Sequence, residues 1–210
     1  MLLLPVYLVN VKMVTAKPYH HGNLRQELLQ AAVAAIEEAG PTAVSLRELA
    51  RRVGVTHAAP THHFGDKTGL LTAVAAEGFR LLAEETTEAW TRTESFLEVG
   101  VAYVRFAIEH RAHFEVMFRP ELYRADDSDI AAARDAASTV LLGSASEVTD
   151  ATGGDGAGAV VAAWALMHGL ATLWLNGNLP PEMGADPVEL ARRIGPYLFQ
   201  ASEGTRRGRK

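Results

Sequence analysis

The feature that most constrains this chain is a pair of short helical segments, Ser45 to Gly54 and Thr56 to Phe64, set end to end with only a turn between them. Ser45 followed by Glu48 three residues on is the pattern of a capping box, in which the hydroxyl accepts an orphan backbone N–H and the carboxylate reaches back. Gly54 supplies the left-handed residue that closes the first segment, and Thr56 is placed to cap the second. Leu46, Leu49, Val53 and Val55 give the apolar underside that fixes how the two cross, and Ala50 is small where they meet. The second helix then faces outward with His57, Ala58, Thr61 and His62, side chains short enough to let a backbone sit deep in a groove about 12 Å wide.

The rest of the chain also reads as helix. Asn23 is placed to cap a run carrying Leu24, Leu28, Val33 and Ile36 near one face, which Gly40-Pro41 stops. Asp66 caps a longer helix with Leu70, Leu71, Val74 and Phe79 that continues into the polar stretch Glu84 to Glu94. Phe96 to Phe118 is expected as one aromatic helix ending at Pro120, and Asp129 to Val148 as an Ala-rich amphipathic one. Gly153 to Gly158 reads as a linker; it lacks the preceding strand and the following Lys-Ser/Thr of a phosphate-binding loop. Ala159 to Leu175 is a long uncharged helix, and Pro187 to Gln200 the last. β-Branched alternation never persists, so the expected fold is all-α.

Charge is uneven along the chain. The net charge is −5, but Met1 to Gly78 carries seven basic against six acidic residues (+1), whereas Phe79 to Lys210 carries 13 against 19 (−6). Five of the eight histidines also lie in the first part. A polyanion partner therefore has one plausible place, the N-terminal third. With no cysteine there is neither a disulfide framework nor a thiolate site, and the cytoplasm is the expected compartment. Met1 to Val14 is apolar but broken by Pro5 and Asn10; residues 1–18 are expected to be a disordered tail, with a start at Met13 as an alternative. Residues 205–210 form a basic tail.

Thr42-Ala43-Val44-Ser45-Leu46-Arg47-Glu48-Leu49-Ala50, Val53-Gly54-Val55 and His63-Phe64-x-Asp66-Lys67-x-x-Leu70-Leu71 resemble, in order and spacing, the N-terminal domain of TetR-family repressors. Tyr103 to Ala107, Met117 to Leu122 and Trp164 to Leu170 are similar to the C-terminal domain of one TetR subgroup. The resemblance implies a helix-turn-helix DNA-binding domain over residues 19–66 and a ligand-binding and dimerisation domain over 67–204, with 67–83 as the connecting helix. It implies phosphate contacts from Ser45, Lys67 and His63, with Arg47 close by, and a groove-reading helix from Thr56 through His57, Ala58, Thr61 and His62. Hydroxyl, ammonium and imidazole groups at helix ends are phosphate-positioning groups, which set register without reading sequence. Two departures from the family pattern stand out: Pro60, whose missing N–H forfeits a bond to Thr56, and Thr61 in place of an aromatic residue.

Each of these residues also has a plainer reading. Ser45 and Asp66 serve as caps whatever else they touch, and Lys67 by type alone is a solvated charge. The histidines suggest no metal, because His57 and His62 are five apart and no acidic residue completes a set; no cofactor and no catalytic residue is expected. Histidine gains charge as pH falls from 8 toward 5, so DNA affinity is expected to rise in that direction.

In the C-terminal part, Tyr103, Phe106, Phe114, Met117, Phe118, Trp164 and His168 read by residue type as core, and the resemblance raises a cavity for a small, largely apolar inducer. The uncharged Ala159–Leu175 surface suits a two-fold homodimer interface shared with the last helix rather than a membrane. The resulting expectation is a repressor on a pseudo-palindromic double-stranded DNA operator, released when an inducer favours a form whose two recognition helices are not one DNA turn apart. Alternatives are a helical enzyme or lipid-binding protein that uses the helix-turn-helix only for packing, and a DNA-binding protein without a ligand.

Overall fold

The computed structural model describes residues 23–143, 156–184 and 186–198, and among these there is helix but no strand. Helix α1 (Leu24–Ala39) buries Leu28, Leu29, Ala32, Ala35 and Ile36 at helical spacing. It ends at Gly40, whose φ of 78° suits only glycine. A 3-10 turn (Pro41–Ala43) leads to α2 (Leu46–Val53). Gly54 follows in the left-handed conformation, its N–H turned back on the carbonyls of Ala50 and Arg51. Next come α3 (Ala58–Phe64) and the 27-residue α4 (Lys67–Thr93). Asp66 caps α4 as expected, accepting the Gly69 N–H at 2.7 Å.

Several local expectations are corrected. Ser45 stands at the N-cap of α2 in extended backbone, but its side chain accepts no capping bond, and Asn23 makes none for α1. The Glu48 carboxylate turns instead to Arg51 and Arg52, whose charge-assisted bonds are stronger than a reach back to the helix start. The cap position of α3 is His57, not Thr56; the Thr56 carbonyl accepts the Ala59 N–H in a turn. Pro60 is thereby the third helical residue, where an N–H has no partner inside the helix, so the expected loss of a bond does not arise. The single helix expected from Phe96 to Phe118 is two, α5 (Phe96–Glu109) and α6 (Arg111–Met117), broken at His110, which leaves the helical region at φ −116°, ψ 44°. The His110 ring bonds Glu85 of α4 at 3.0 Å.

Among the described residues, helices α7 (Ser128–Gly143), α8 (Gly156–Leu175) and α9 (Pro187–Ile194) follow, α9 capped by Asp186. The last helix, expected to run to Gln200, stops at Ile194 before Gly195-Pro196, where the glycine and the proline end it. The N-terminal tail, Met13, His20 and His21, Gly153 to Asp155, the end expected at Val148, and the basic tail lie outside the described residues.

One buried cluster joins Leu28, Ile36, Leu49, Phe64, Leu70 and Val74 of the first four helices to Ala112 and Val116 of α6, Tyr123, and Ile130 of α7. A second gathers Phe79, Leu82, Val101, Val104, Phe106, Met117, Leu170 and Leu190. Helix α4 runs through both. Two of its glycines mark close approaches: a Cβ at Gly69 would overlap the Phe64 carbonyl oxygen, and one at Gly78 would lie 2.5 Å from Met117 Sδ and 2.9 Å from His113 Cβ. Ala157–Leu175 is long and apolar enough to cross a membrane by length and composition. It buries Val160, Ala163, Met167, Leu170 and Ala171, but leaves Val161 at 61% and Leu173 at 44% exposure.

Candidate DNA-contacting face and ligand cavity

Thr56, His57, Ala58, Thr61 and His62 are all exposed, while Pro60 and Phe64 turn inward and are buried. The face that α3 offers is thus built of short side chains on a helix held from beneath. His63 is half-buried, its ring beside those of His62 and Phe64. Ser45 and Arg47 are exposed at the start of α2. Lys67 opens α4, and its Nζ donates to the Thr42 carbonyl at 2.5 Å, which fixes the ammonium between the 3-10 turn and the helix N-terminus. Arg51 and Arg52 are occupied by Glu48 and Glu38, both ion pairs at 2.7 Å. The Arg51 guanidinium, with Arg52 behind it, brings the Glu48 carboxyl down to about 2. Among the described residues, Arg47 and Lys67 on this side carry no ion pair, and neither does Arg25, whose guanidinium lies 5.3 Å over the Phe64 ring.

Asp66 joins this face to the body of the molecule. Besides the Gly69 N–H, its carboxylate accepts from Arg124 Nη2 at 2.9 and 2.8 Å, and these partners hold it below the usual carboxylate range. The Arg124 backbone N–H donates to Thr72 Oγ1 at 3.1 Å. A second junction is half-buried: Glu77 of α4 accepts Gln26 of α1 at 3.1 Å and bonds His113 Nε2 of α6 at 3.0 Å. His113, followed by Gln26, keeps the Glu77 carboxyl low. Among the described residues no group of three or more His, Cys, Asp or Glu is placed to hold a metal ion.

A cavity of about 540 Å³ opens between α4, α5, α7, α8 and the segment after α6. Of the seven residues expected there, Tyr103, Met117, Phe118 and Trp164 line it. Phe106 is fully buried and stacks toward the His110 ring, away from the wall. Phe114 and His168 stand behind the wall, their ring centroids 5.2 Å apart. His168 Nδ1 meets the Tyr103 hydroxyl at 2.8 Å, and Trp164 Nε1 donates to the same oxygen at 3.4 Å. The indole only donates, so the Tyr103 hydroxyl oxygen is its acceptor. Burial pushes the Tyr103 phenol up and the His168 imidazole down, so the group is neutral at pH 7.

Sequence reasoning missed Phe79, Leu82 and Thr86 of α4 and Arg134 of α7, all on the wall. Thr86, a polar residue in a buried stretch, bonds the Leu82 carbonyl at 2.7 Å. Arg134 lies over the Phe79 ring, 5.4 Å from its centroid, and donates to the Tyr123 hydroxyl at 3.1 Å.

A short exposed helix over a glycine turn, mounted on a long helix whose far half walls an apolar cavity, defines the class of helix-turn-helix regulators that carry a ligand site in the same chain. Two family models match: "Bacterial regulatory proteins, tetR family" over residues 28–74, and "Tetracyclin repressor-like, C-terminal domain" over residues 96–194. A solved protein of unknown function from Rhodococcus sp. RHA1 is 33% identical with a TM-score of 0.75, across 89% of this chain and 99% of that one. The TetR-family regulator PfmR from Thermus thermophilus shares the fold at 21% identity and a TM-score of 0.63, over 82% of this chain and 97% of its own. The HTH-type transcriptional regulator BetI of Yersinia pestis (strain Pestoides F) is 40% identical over 60 residues, 29% of this chain; that match spans 30% of the BetI length. The chain belongs to the TetR family and is a DNA-binding transcriptional regulator. Regulators of this family bind operator DNA and small-molecule ligands and form homodimers. The alternative of a helical enzyme or lipid-binding protein is not favoured.

Proposed function

We propose that the chain is a cytoplasmic repressor, not an enzyme, that holds a pseudo-palindromic operator as a homodimer and leaves it when a small, largely apolar inducer fills the cavity. Residues 19–66 form the DNA-binding part and 67–204 the ligand-binding and dimerisation part. Thr56, His57, Ala58, Thr61 and His62 face the major groove; Ser45, Arg47, His63 and Lys67 position phosphates. The dimer forms through α8 and the last helix; Val161 and Leu173 of α8, and Tyr197 three residues past α9, are exposed.

The observation that carries this reading is the Arg124–Asp66 pair. Pro120, Tyr123 and Ala125 line the cavity, and Arg124 between them grips the cap that joins α3 to α4. A molecule that displaces this segment therefore moves the recognition helix, and linkage makes the effect reciprocal. DNase footprinting on the DNA flanking the gene tests it: a two-fold symmetric footprint is expected, lost in the Lys67→Ala, His62→Ala double variant. A folded dimer with no footprint and only salt-insensitive association with bulk DNA would sink the reading.

A further inference from the structure

The geometry points to an apolar monocarboxylate as the class of ligand the cavity takes, with its carboxylate on the Arg134 guanidinium and its chain among Phe79, Leu82, Tyr103 and Met117. This rests on the reading of the cavity as the inducer site. Several other polar groups on the wall have partners inside the protein, while the Asp135 carboxylate, also on the wall, has no ion pair among the described residues. Thr86 donates to the Leu82 carbonyl at 2.7 Å, Tyr123 to the Met117 carbonyl at 2.9 Å, and Ser138 to the Asp135 carbonyl at 3.0 Å.

Arg134 differs from them, and from Arg51, Arg52, Arg111, Arg124 and Arg192, each of which sits on a carboxylate. No carboxylate lies within 4.0 Å of the Arg134 guanidinium among the described residues, and the Tyr123 hydroxyl takes one of its five donors. The face of Phe79 and that hydroxyl hold the fork in place before any ligand arrives, which lowers the ordering cost of a bidentate bond. Arg134 is exposed overall. It therefore stands at the rim, where a bound carboxylate keeps part of its hydration and the burial cost of the charge is small. Asp135 also lines the cavity. As the next residue on α7 it diverges from Arg134 by about 100° around the helix axis, and it leaves the guanidinium unpaired.

The test uses the full chain and three ten-carbon probes, decanoate, 1-decanol and decylammonium, with binding read by calorimetry and thermal shift. Decanoate is expected to bind about tenfold more tightly than decanol, the gain of a charge-assisted over a neutral contact, and decylammonium more weakly than either. Arg134→Gln brings decanoate down to the affinity of decanol, with helical circular dichroism showing that the variant is folded; Arg134→Lys retains part of the decanoate advantage. Equal affinities for decanoate and decanol, or a preference for decylammonium, overturn the inference and leave the cavity a ligand site. Binding of none of the three overturns it as well; no thermal shift from a wider panel of neutral apolar compounds then removes the ligand-site reading too.

Discussion

Gly78 sits where α4 passes α6 with no room for a methyl group, since its Cβ would press on Met117 Sδ and His113 Cβ. The sulfur end can swing aside, but the His113 Cβ is fixed to a helix. Gly78→Ala is therefore expected to destabilise the fold by about 1–3 kcal/mol, as overpacking does, read by chemical denaturation. The neighbouring Glu77 gives a pH signature. Its carboxyl titrates below the ordinary 4.5 because His113 and Gln26 bond the charged form. The stabilisation is complete above 4.5 and fades as pH falls through the lower folded value. Glu77→Gln is expected to melt lower at pH 7 and to lose less on acidification below about pH 4.5, in a series of melting curves. Residue chemistry was legible where it is local: Asp66 caps because a carboxylate before a helix start finds N–H groups in its own backbone, and Gly54 turns because nothing else suits that φ. It was not legible at Ser45, where the capping pattern alone does not weigh Arg51 and Arg52, one turn on along the same helix, as rival partners of Glu48.

At the scale of elements, the helix-turn-helix was readable because its spacing is set within about twenty residues, whereas the cavity wall is assembled from α4, α5, α7 and α8. Periodicity marks Phe106 and Phe79 alike as inward-facing; which of them meets a void depends on how helices far apart in sequence cross. The break at His110 was hidden for the same reason, its Glu85 partner lying 25 positions away. Two side chains at the start of α4 and its cap differ in what they control. Lys67→Ala is expected to weaken binding to all DNA sequences alike and to reduce the slope of log affinity against log salt by about one, measured by fluorescence anisotropy at several salt concentrations. Arg124→Ala is expected to leave that slope unchanged while shrinking the factor by which an inducer changes operator affinity, because it cuts the tie at Asp66.

For the whole molecule, the exposed apolar residues of α8 and Tyr197 are among the large apolar side chains a single chain leaves uncovered. Val161→Glu with Leu173→Glu is expected to give a folded monomer by analytical ultracentrifugation, with helical circular dichroism retained. Its operator affinity falls because one recognition helix reads half a site. The all-α fold was legible in full, since no stretch offered a strand; how one chain meets its copy was readable only as an uncharged helix too apolar to stand in water. The contact at Gly69 has a mechanical consequence. With no side chain between them, α4 and the end of α3 bear directly on each other, so the joint has no slack. Helix α4 is then a stiff arm about 40 Å long, with the head at one tip. A swing of about 5° measured from its far end carries that tip about 3.5 Å, as a crowbar turns a small push into a long stroke.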